Sequence, residues 1–183
     1  MSDAGCERQP NDSELVLRTR KGSMDAFDLL VERYRKSIYR LAKAMTQNHD
    51  AAGDLSQEAF VQAYKRIRQL KNPESFGPWL RKILVNLCIR HSTKVVSASL
   101  DDTEIESPES PSTEAERSMV RGSVRSAILE LDPAERAVVL LYYMEGLKQT
   151  EIADALGCPV GTVWSRLNSA RDKLRGLLSD LVS

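Results

Sequence analysis

The chain has 183 residues, of which 42% are hydrophobic and 28% are charged, with 26 basic and 26 acidic side chains. This composition is typical of a globular protein and excludes global disorder, and no apolar run approaches the ~20 residues that a membrane-spanning helix requires. The three cysteines are too far apart for a disulfide framework or a four-ligand zinc site, and the polar first residues do not resemble a secretory signal. We therefore expect a cytoplasmic protein with no metal site, no cofactor and no membrane insertion.

Charge is segregated along the chain although it sums to zero. Residues 14–94 carry 16 basic and 8 acidic side chains, residues 95–116 carry 7 acidic and no basic ones, and residues 117–183 carry 9 basic and 8 acidic ones. The acidic stretch is rich in Ser and Pro and has few large apolar residues, so it cannot bury a core. These shifts predict four segments, which are a disordered tail at 1–12, a basic domain at 13–94, a flexible linker at 95–118 and a second domain at 119–183.

The basic segment has helical periodicity throughout. After a short leading helix at 13–21, apolar residues recur three and four positions apart in three stretches. The three apolar stripes are Phe27, Leu30, Val31, Tyr34, Ile38, Leu41 and Met45; Leu55, Ala59, Phe60, Ala63, Tyr64 and Ile67; and Leu80, Ile83, Leu84 and Leu87. No segment alternates like a β-strand over a useful length, so we predict an all-α protein with about four helices on each side of the linker.

The C-terminal segment contains a helix-turn-helix pattern. Asp132 fits the N-cap of an apolar-rich helix that extends to Met144. A second helix at 147–156 ends at Gly157, which can adopt the positive φ of a tight turn, and a third helix runs from about 160 to 178. A short glycine-containing turn between two helices is the arrangement found in DNA-binding helix-turn-helix motifs.

The two faces of the third helix differ in chemistry. An apolar stripe, at about 100° per residue, consists of Val163, Leu167, Ala170 and Leu174. The opposite face carries Ser165, Asn168, Ser169 and Asp172, and the flanks carry Thr162, Trp164, Arg166 and Arg171. Small polar groups suit base edges in the major groove, and arginines suit phosphates. A helical hairpin with an ordinary solvated outer face would show the same pattern, so periodicity alone leaves both interpretations open.

Two sets of residues resemble a known family. The run LKQTEIADALGCPVGTVWSRLNSARDKL at 147–174 closely resembles region 4 of bacterial sigma factors, above all that of the extracytoplasmic-function (ECF) group. The basic segment resembles their region 2 in DLSQEAF at 54–60, in FGPWL at 76–80, and at Ile83 and Asn86. The order of the two matches and the short acidic linker agree with the two-domain build of the family. The resemblance implies a region 2 helical bundle and a region 4 helix-turn-helix, in a chain that lacks regions 1.1 and 3.

The resemblance also implies partners and the residues that contact them. Sigma factors bind core RNA polymerase, at the β′ clamp and the β flap, and direct it to promoter DNA. In this family the helix with the DLxQEAF run docks on the clamp, and its face here would present Asp54, Gln57, Glu58 and Val61. Acidic and amide groups suit an arginine-rich partner surface, although an ordinary solvated helix face would also carry them.

The loop and helix that follow are expected to hold the melted −10 element. The resemblance implies this role for Leu70, Lys71, Asn72, Arg81, Lys82, Asn86 and Arg90. Asn86 would read a flipped base, because an amide offers both a donor and an acceptor to the Watson–Crick edge. The basic side chains would follow the backbone of the single strand. The alternative is that Asn86 caps the helix or lies on its surface without contacting DNA, and that the basic residues only aid solubility. Trp79 is expected in the core.

Region 4 is expected to bind the −35 element as duplex DNA. The predicted contacts are Thr162, Trp164, Ser165, Arg166, Asn168, Ser169 and Arg171. At the positions where many relatives carry an arginine and an aromatic residue, this chain has Trp164 and Asn168. This departure lowers the number of cationic contacts and should change the −35 preference, so the promoter sequence and the regulon do not follow from the sequence.

We therefore predict a transcription initiation factor that is not itself an enzyme. The alternative is a helix-turn-helix regulator that binds DNA without polymerase and favours palindromic half-sites. A DNA-processing enzyme is disfavoured, because the sequence shows no Gly-rich phosphate loop, no Ser/His/Asp set and no metal-ligand cluster. Many sigma factors are held inactive by an anti-sigma factor that clamps the two domains, and a flexible linker permits such a partner. The acidic linker could also keep the free chain off DNA by repelling phosphate.

Overall fold

A computed structural model describes the chain over residues 9–98 and 113–179, with side chains at 9–93 and 120–179. The α-helices of these residues are α1 (Asp12–Arg20), α2 (Met24–Thr46), α3 (His49–Arg66), α4 (Phe76–Ala98), α5 (Thr113–Leu129), α6 (Pro133–Tyr143), α7 (Gln149–Leu156) and α8 (Val160–Leu177). Two short 3₁₀ turns, Ile67–Gln69 and Pro73–Ser75, connect α3 to α4. The described residues contain no β-strand, and the predicted all-α fold is confirmed.

Helix α1 begins slightly earlier than predicted. The Asn11 side chain accepts a hydrogen bond from the Glu14 amide at 2.9 Å, and the Glu14 carboxylate accepts one from the Asn11 amide at 3.1 Å. This capping box sets the start of the helix at Asp12. Asn11 and Asp12 therefore belong to a helix start rather than to the tail predicted at 1–12, and residues 1–8 of that tail lie outside the described residues.

Helices α2, α3 and α4 form the core of the N-terminal half. Their buried apolar residues include Phe27, Leu30, Ile38, Leu41, Met45, Leu55, Ala59, Phe60, Ala63, Leu80, Ile83, Leu84 and Leu87, which belong to the predicted stripes. Tyr64 departs from the prediction, because 38% of it is exposed. Helices α2 and α4 approach closely at Gly77, where a Cβ atom would lie 2.9 Å from the Tyr34 ring. Trp79 is partly buried against this core, as predicted.

The ends of the predicted linker are helical. Helix α4 continues past residue 94 to Ala98, and α5 begins at Thr113, before the start that was predicted for the second domain at 119. Residues 99–112, the centre of the predicted linker, lie outside the described residues. The segment between α4 and α5 is therefore residues 99–112, which is shorter than the linker predicted at 95–118.

Helix α6 is buried on every face. All seven residues from Glu135 to Leu141 are buried, and together they cover almost two helical turns. Five of these residues are apolar, and the two charged ones, Glu135 and Arg136, form hydrogen bonds within the protein. Helices α7 and α8 pack on α6 within the C-terminal half, and α2 and α4 pack on it from the N-terminal half. The two halves consequently share one continuous hydrophobic core.

Helices α7 and α8 form the predicted helix-turn-helix. Gly157 ends α7 with a positive φ of 64°, which a glycine adopts without strain. Val163, Leu167 and Ala170 are buried, and Leu174 is partly buried against the same core, so the predicted apolar stripe of α8 faces inward. The opposite face of α8 is left at the surface.

Candidate functional site

An apolar groove of about 560 Å³ runs between α2 and α3. Phe27 and Val31 of α2 and Phe60, Val61 and Tyr64 of α3 are among the residues that line it. All of the described residues in the lining belong to these two helices. Exposed apolar surface of this kind on a folded chain is typical of a docking site for another macromolecule.

The four residues predicted to contact polymerase are all exposed on α3. Gln57 and Val61 line the groove, whereas Asp54 and Glu58 lie outside its lining. The structure therefore brings two of the four residues into the groove and leaves two beside it. The sequence analysis missed the wall that α2 contributes. Phe27 belongs to the predicted apolar stripe of α2, but periodicity does not reveal that residues at one edge of that stripe line a groove.

The loop before α4 presents part of the predicted −10 surface. Lys71 and Asn72 are exposed, and the Asn72 side chain accepts a hydrogen bond from the Glu74 amide at 3.1 Å. Leu70 is 5% exposed and belongs to the core, and its carbonyl accepts a hydrogen bond from Arg20. The predicted DNA contact of the Leu70 side chain needs correction, because an apolar side chain in the core of the bundle does not reach a nucleic acid strand.

Two of the predicted −10 residues are accessible on α4. Asn86 and Arg90 are exposed and lie one turn apart. The Arg90 Nε atom donates to the backbone carbonyl of Asn86 at 3.3 Å, so this contact does not involve the Asn86 side-chain amide. An amide and a guanidinium on the same exposed face can contact a base edge and the adjacent phosphate.

The other two α4 residues of this set contact the C-terminal half. The Arg81 Nε atom lies 2.6 Å from a carboxylate oxygen of Glu145, in the turn after α6. The Lys82 Nζ atom donates to the backbone carbonyl of Asp154 in α7 at 2.7 Å. Two of the cations that are expected to follow the DNA strand therefore have acceptors within the protein.

Helix α8 presents the residues that were predicted to contact the −35 element. Trp164 is 59% exposed, and Ser165 beside it is exposed as well. Thr162, Arg166 and Asn168 are partly buried along the edges of this face. Ser169 is exposed, but its hydroxyl donates to a carboxylate oxygen of Glu135 at 2.8 Å, so the hydroxyl links α8 to α6.

Arg171 is held by two tyrosines that the sequence analysis did not single out. Its Nε atom lies 2.9 Å from the Tyr143 hydroxyl, and its guanidinium carbon lies 5.7 Å and 5.8 Å from the ring centres of Tyr142 and Tyr143. The hydrogen bond to Tyr143 is the main cause that raises the pKa of Arg171 above its ordinary value. The adjacent Tyr-Tyr pair at the end of an apolar helix was the available signal.

The described residues do not support a metal centre or a membrane span. They contain no group of three or more His, Cys, Asp or Glu side chains that is placed to hold a metal ion. Burial in the core raises the pKa of the Cys88 thiol to about 12, so the thiol is protonated at neutral pH. No helix in the described ranges combines the length and apolarity needed to cross a bilayer.

Two family models match the chain. Sigma-70 region 2 matches residues 30–95, which include most of the α2–α3 groove and the described −10 residues. Sigma-70 region 4 matches residues 121–174, which include the helix-turn-helix. Together the two matches cover well over half of the chain, in the order that the sequence analysis expected.

Curated relatives match along nearly the whole chain. The RNA polymerase sigma-H factor of Pseudomonas aeruginosa is 30% identical, over 95% of this chain and 97% of its own length. The ECF RNA polymerase sigma factor SigW of Bacillus subtilis is 31% identical over 91% and 96%, and the ECF RNA polymerase sigma-E factor of Escherichia coli is 31% identical over 95% and 97%.

Solved structures share the fold. CnrH, solved in complex with the cytosolic domain of CnrY, matches with a TM-score of 0.68 and 26% identity, over 92% of this chain and 97% of its own. The sigma factor RpoE of Bartonella quintana, solved with the anti-sigma factor NepR, matches with a TM-score of 0.64 and 22% identity, over 84% and 96%.

A helix-turn-helix packed on a second helical bundle, with both parts matched by sigma-70 models, defines a bacterial transcription initiation factor, and the chain belongs to the sigma-70 family. Its likeness to SigW and to sigma-E over more than nine-tenths of its length makes it a member of the ECF group of that family. It therefore directs RNA polymerase to promoters.

Proposed function

We propose that core RNA polymerase docks in the α2–α3 groove. Gln57 and Val61 contact the polymerase inside the groove, while Asp54 and Glu58 lie beside it and attract a basic partner surface, which we identify as the β′ clamp. The observation that supports this most is that Val61 is 45% exposed on a helix whose other face is packed in the core. Covering this apolar side chain on docking removes it from water, which contributes favourable free energy.

We assign the −10 element to the exposed surface of α4 and the loop before it. Asn86 reads an unpaired base and Arg90 contacts the backbone of the same strand, with Lys71 and Asn72 at the entrance. The exposure of all four side chains supports this assignment. Arg81 and Lys82 extend the same basic face once their contacts with the C-terminal half are released.

We assign the −35 element to the outer face of α8. Trp164 and Ser165 are exposed there and can enter the major groove, while Arg166 and Arg171 contact phosphates on its flanks. The tyrosines that hold Arg171 set the direction of its guanidinium before DNA binds, which lowers the entropy lost in binding. The family matches at 30–95 and 121–174 support region 2 at 13–94 and region 4 at 119–183, with region 4 also contacting the β flap.

We further propose that the protein acts in the cytoplasm, where core polymerase is found, and that it catalyses no reaction itself. The phosphodiester chemistry belongs to the polymerase. An anti-sigma factor is proposed as a second protein partner, since CnrH, with a TM-score of 0.68 to this chain, was solved in complex with the cytosolic domain of CnrY.

A matched pair of valine substitutions tests the docking groove. Val61 and Val120 are almost equally exposed, at 45% and 47%, but Val61 lines the groove whereas Val120 lies on α5, outside it. We expect V61D to weaken binding to core polymerase at least about tenfold, because a charge then enters the apolar contact, and V120D to change it less than about twofold. Equal binding of the two variants by surface plasmon resonance would contradict docking at the groove.

Run-off transcription links docking to function. Adding the protein to core polymerase should produce promoter-specific transcripts, and V61D should lose them in proportion to its loss of polymerase affinity. The double variant D54K/Q57K tests one residue beside the groove, Asp54, and one in its lining, Gln57, by reversing one charge and adding another. Unchanged polymerase binding by D54K/Q57K would remove Asp54 and Gln57 from the docking surface.

A further inference from the structure

The first turns of α8 are uncharged and partly apolar at the surface. Residues 160–165 include no Arg, Lys, Asp, Glu, Asn or Gln. Val160 is 41% exposed, Trp164 is 59% exposed, and Ser165 is exposed beside it. Val160 and Trp164 lie four positions apart and therefore on the same side of the helix. In helix-turn-helix proteins the N-terminal residues of the second helix contact base edges, so the part of α8 that reads bases has an apolar surface.

The basic side chains of α8 begin only at Arg166, after this segment. Arg171 lies seven positions after Trp164, which places both on one side of α8 and roughly 10 Å apart along its axis. Arg171 is already held in place by the Tyr143 hydroxyl at 2.9 Å. With Arg171 at a phosphate on the edge of the major groove, Trp164 is the large exposed side chain nearer the end of α8 that enters the groove.

Ser165 contributes little selectivity to this segment. Its hydroxyl donates to the Thr162 carbonyl at 3.1 Å within α8, so its oxygen acts as an acceptor toward DNA. The major-groove amino groups of adenine and of cytosine are both donors to such an acceptor. Discrimination between bases at this end of α8 therefore depends on Trp164.

The chemistry of the Trp164 side chain matches the major-groove edge of thymine. An indole offers a broad apolar surface and one donor, the Nε1 hydrogen, but no acceptor. Thymine alone among the four bases presents a methyl group in the major groove, and the methyl lies beside the O4 acceptor. Guanine offers acceptors without a methyl group, and cytosine offers a donor, which opposes the indole N–H. The side chains that usually read guanine, adenine or cytosine are the Arg, Lys, Asn, Gln, Asp and Glu that residues 160–165 lack.

We propose that Trp164 is a specificity-determining residue of the −35 contact and selects a thymine by covering its methyl group. This inference rests on the −35 role proposed above for α8. Contact with the indole ring removes the methyl group from water, which favours thymine over the other three bases. Val160 extends the apolar surface on the same side of the helix.

The test removes the methyl group from the DNA and leaves the protein unchanged. Holoenzyme, assembled from the full-length protein and core polymerase, first selects its preferred duplexes from a random-sequence library, and the selected element upstream of the melted region is the −35 element. Each thymine of this element is then replaced, one at a time, by deoxyuridine, which lacks only the methyl group. We expect one replacement to weaken binding of the parent holoenzyme about fourfold, the effect of exposing one buried methyl group.

Three variants assign this effect to the indole ring. W164A should bind the thymine and deoxyuridine duplexes equally, whereas W164F keeps an apolar ring and should keep the preference for the methyl group. L177A is the control, because Leu177 is a 48% exposed apolar residue near the other end of α8 and its loss should leave the preference unchanged. Since Trp164 is largely exposed, its replacement is not expected to unfold the protein.

The outcomes distinguish this inference from the proposed function. A −35 element in which no thymine methyl group matters, or a methyl effect that W164A retains, overturns the inference. Weaker binding of W164A to core polymerase, with no methyl effect on DNA, shows that Trp164 contacts protein and overturns it as well. R171A tests the −35 role itself and should weaken binding to thymine and deoxyuridine duplexes by the same factor. If R171A and W164A both leave duplex binding unchanged, the −35 role of α8 fails, whereas an effect of R171A without a methyl effect removes only the thymine contact.

Discussion

The buried Arg136 side chain donates hydrogen bonds to backbone carbonyls at the ends of two helices. Its guanidinium donates to the carbonyls of Ile128 and Leu131 at 3.1 Å each, to that of Leu129, and to that of Met45 at 2.6 Å. These carbonyls lie at or next to the C-terminal ends of α5 and α2, where the carbonyls of the last turn lack N–H donors from within the helix. Burial lowers the pKa of Arg136, but the carbonyl oxygens compensate its charge.

At the residue scale we therefore expect Arg136 to be important for stability. R136M keeps much of the length of the side chain but removes every donor, which leaves several buried carbonyls unpaired. The free energy of unfolding should fall by about 3 to 5 kcal/mol, measured by urea denaturation with circular dichroism. The control is R121M, which changes an exposed arginine of α5 and should stay within about 0.5 kcal/mol of the parent protein. A loss below about 1 kcal/mol for R136M would show that water satisfies these carbonyls.

At the scale of elements, the sequence predicted helices best where they bury a single face. Val163, Leu167 and Ala170 are buried as predicted, because a helix with one buried side displays it as three- and four-residue spacing. Helix α6 has no such spacing, since both halves cover it, and periodicity does not say what covers an apolar helix. Spacing also placed Ser169 on the outer face of α8 but could not reveal its hydrogen bond to Glu135, 34 residues away.

Glu135 connects the N-terminal end of α6 to α8. Its carboxylate accepts hydrogen bonds from Ser169 at 2.8 Å and from Lys173 at 2.8 and 3.0 Å, and it also caps α6 through the Asp132 amide at 3.3 Å. Burial by itself would raise the pKa of Glu135, but these hydrogen bonds and the charge of Lys173 outweigh burial and lower it. The native structure therefore favours the ionised carboxylate.

The lowered pKa of Glu135 predicts acid-sensitive stability. A carboxyl group whose pKa is lower in the folded than in the unfolded protein stabilises the fold above its unfolded value, here about 4.5, and this contribution is lost as the pH falls through the folded value. E135Q should therefore be less stable than the parent by about 1 to 3 kcal/mol at neutral pH, and the gap should narrow below about pH 4.5. Urea midpoints across this pH range, with E130Q as control, measure the gap. A gap that is constant with pH would contradict the role of the charge.

At the scale of the whole molecule, composition predicted two domains with a flexible linker between them, and the structure adds a shared core. One family model matches each half, at residues 30–95 and 121–174. The charge pattern of the sequence could not predict that the two halves pack together. Arg81 and Glu145, which pair across them, are 64 positions apart, and each is one of many charged residues in the chain. Side chains such as Lys82 were therefore assigned to DNA alone, whereas in the free protein they also hold the halves together.

A shared core predicts that the two halves unfold together. In a W164F background Trp79 is the one remaining tryptophan, so its fluorescence reports on the N-terminal half. L167A removes a buried side chain from the C-terminal half and should cost about 3 kcal/mol. If the halves are coupled, this substitution should lower the urea midpoint reported by Trp79 by roughly 1 M, whereas L177A, at a largely exposed position of the same helix, should shift it little. If the halves unfold independently, the Trp79 midpoint stays constant in L167A while circular dichroism shows an earlier transition of the C-terminal half.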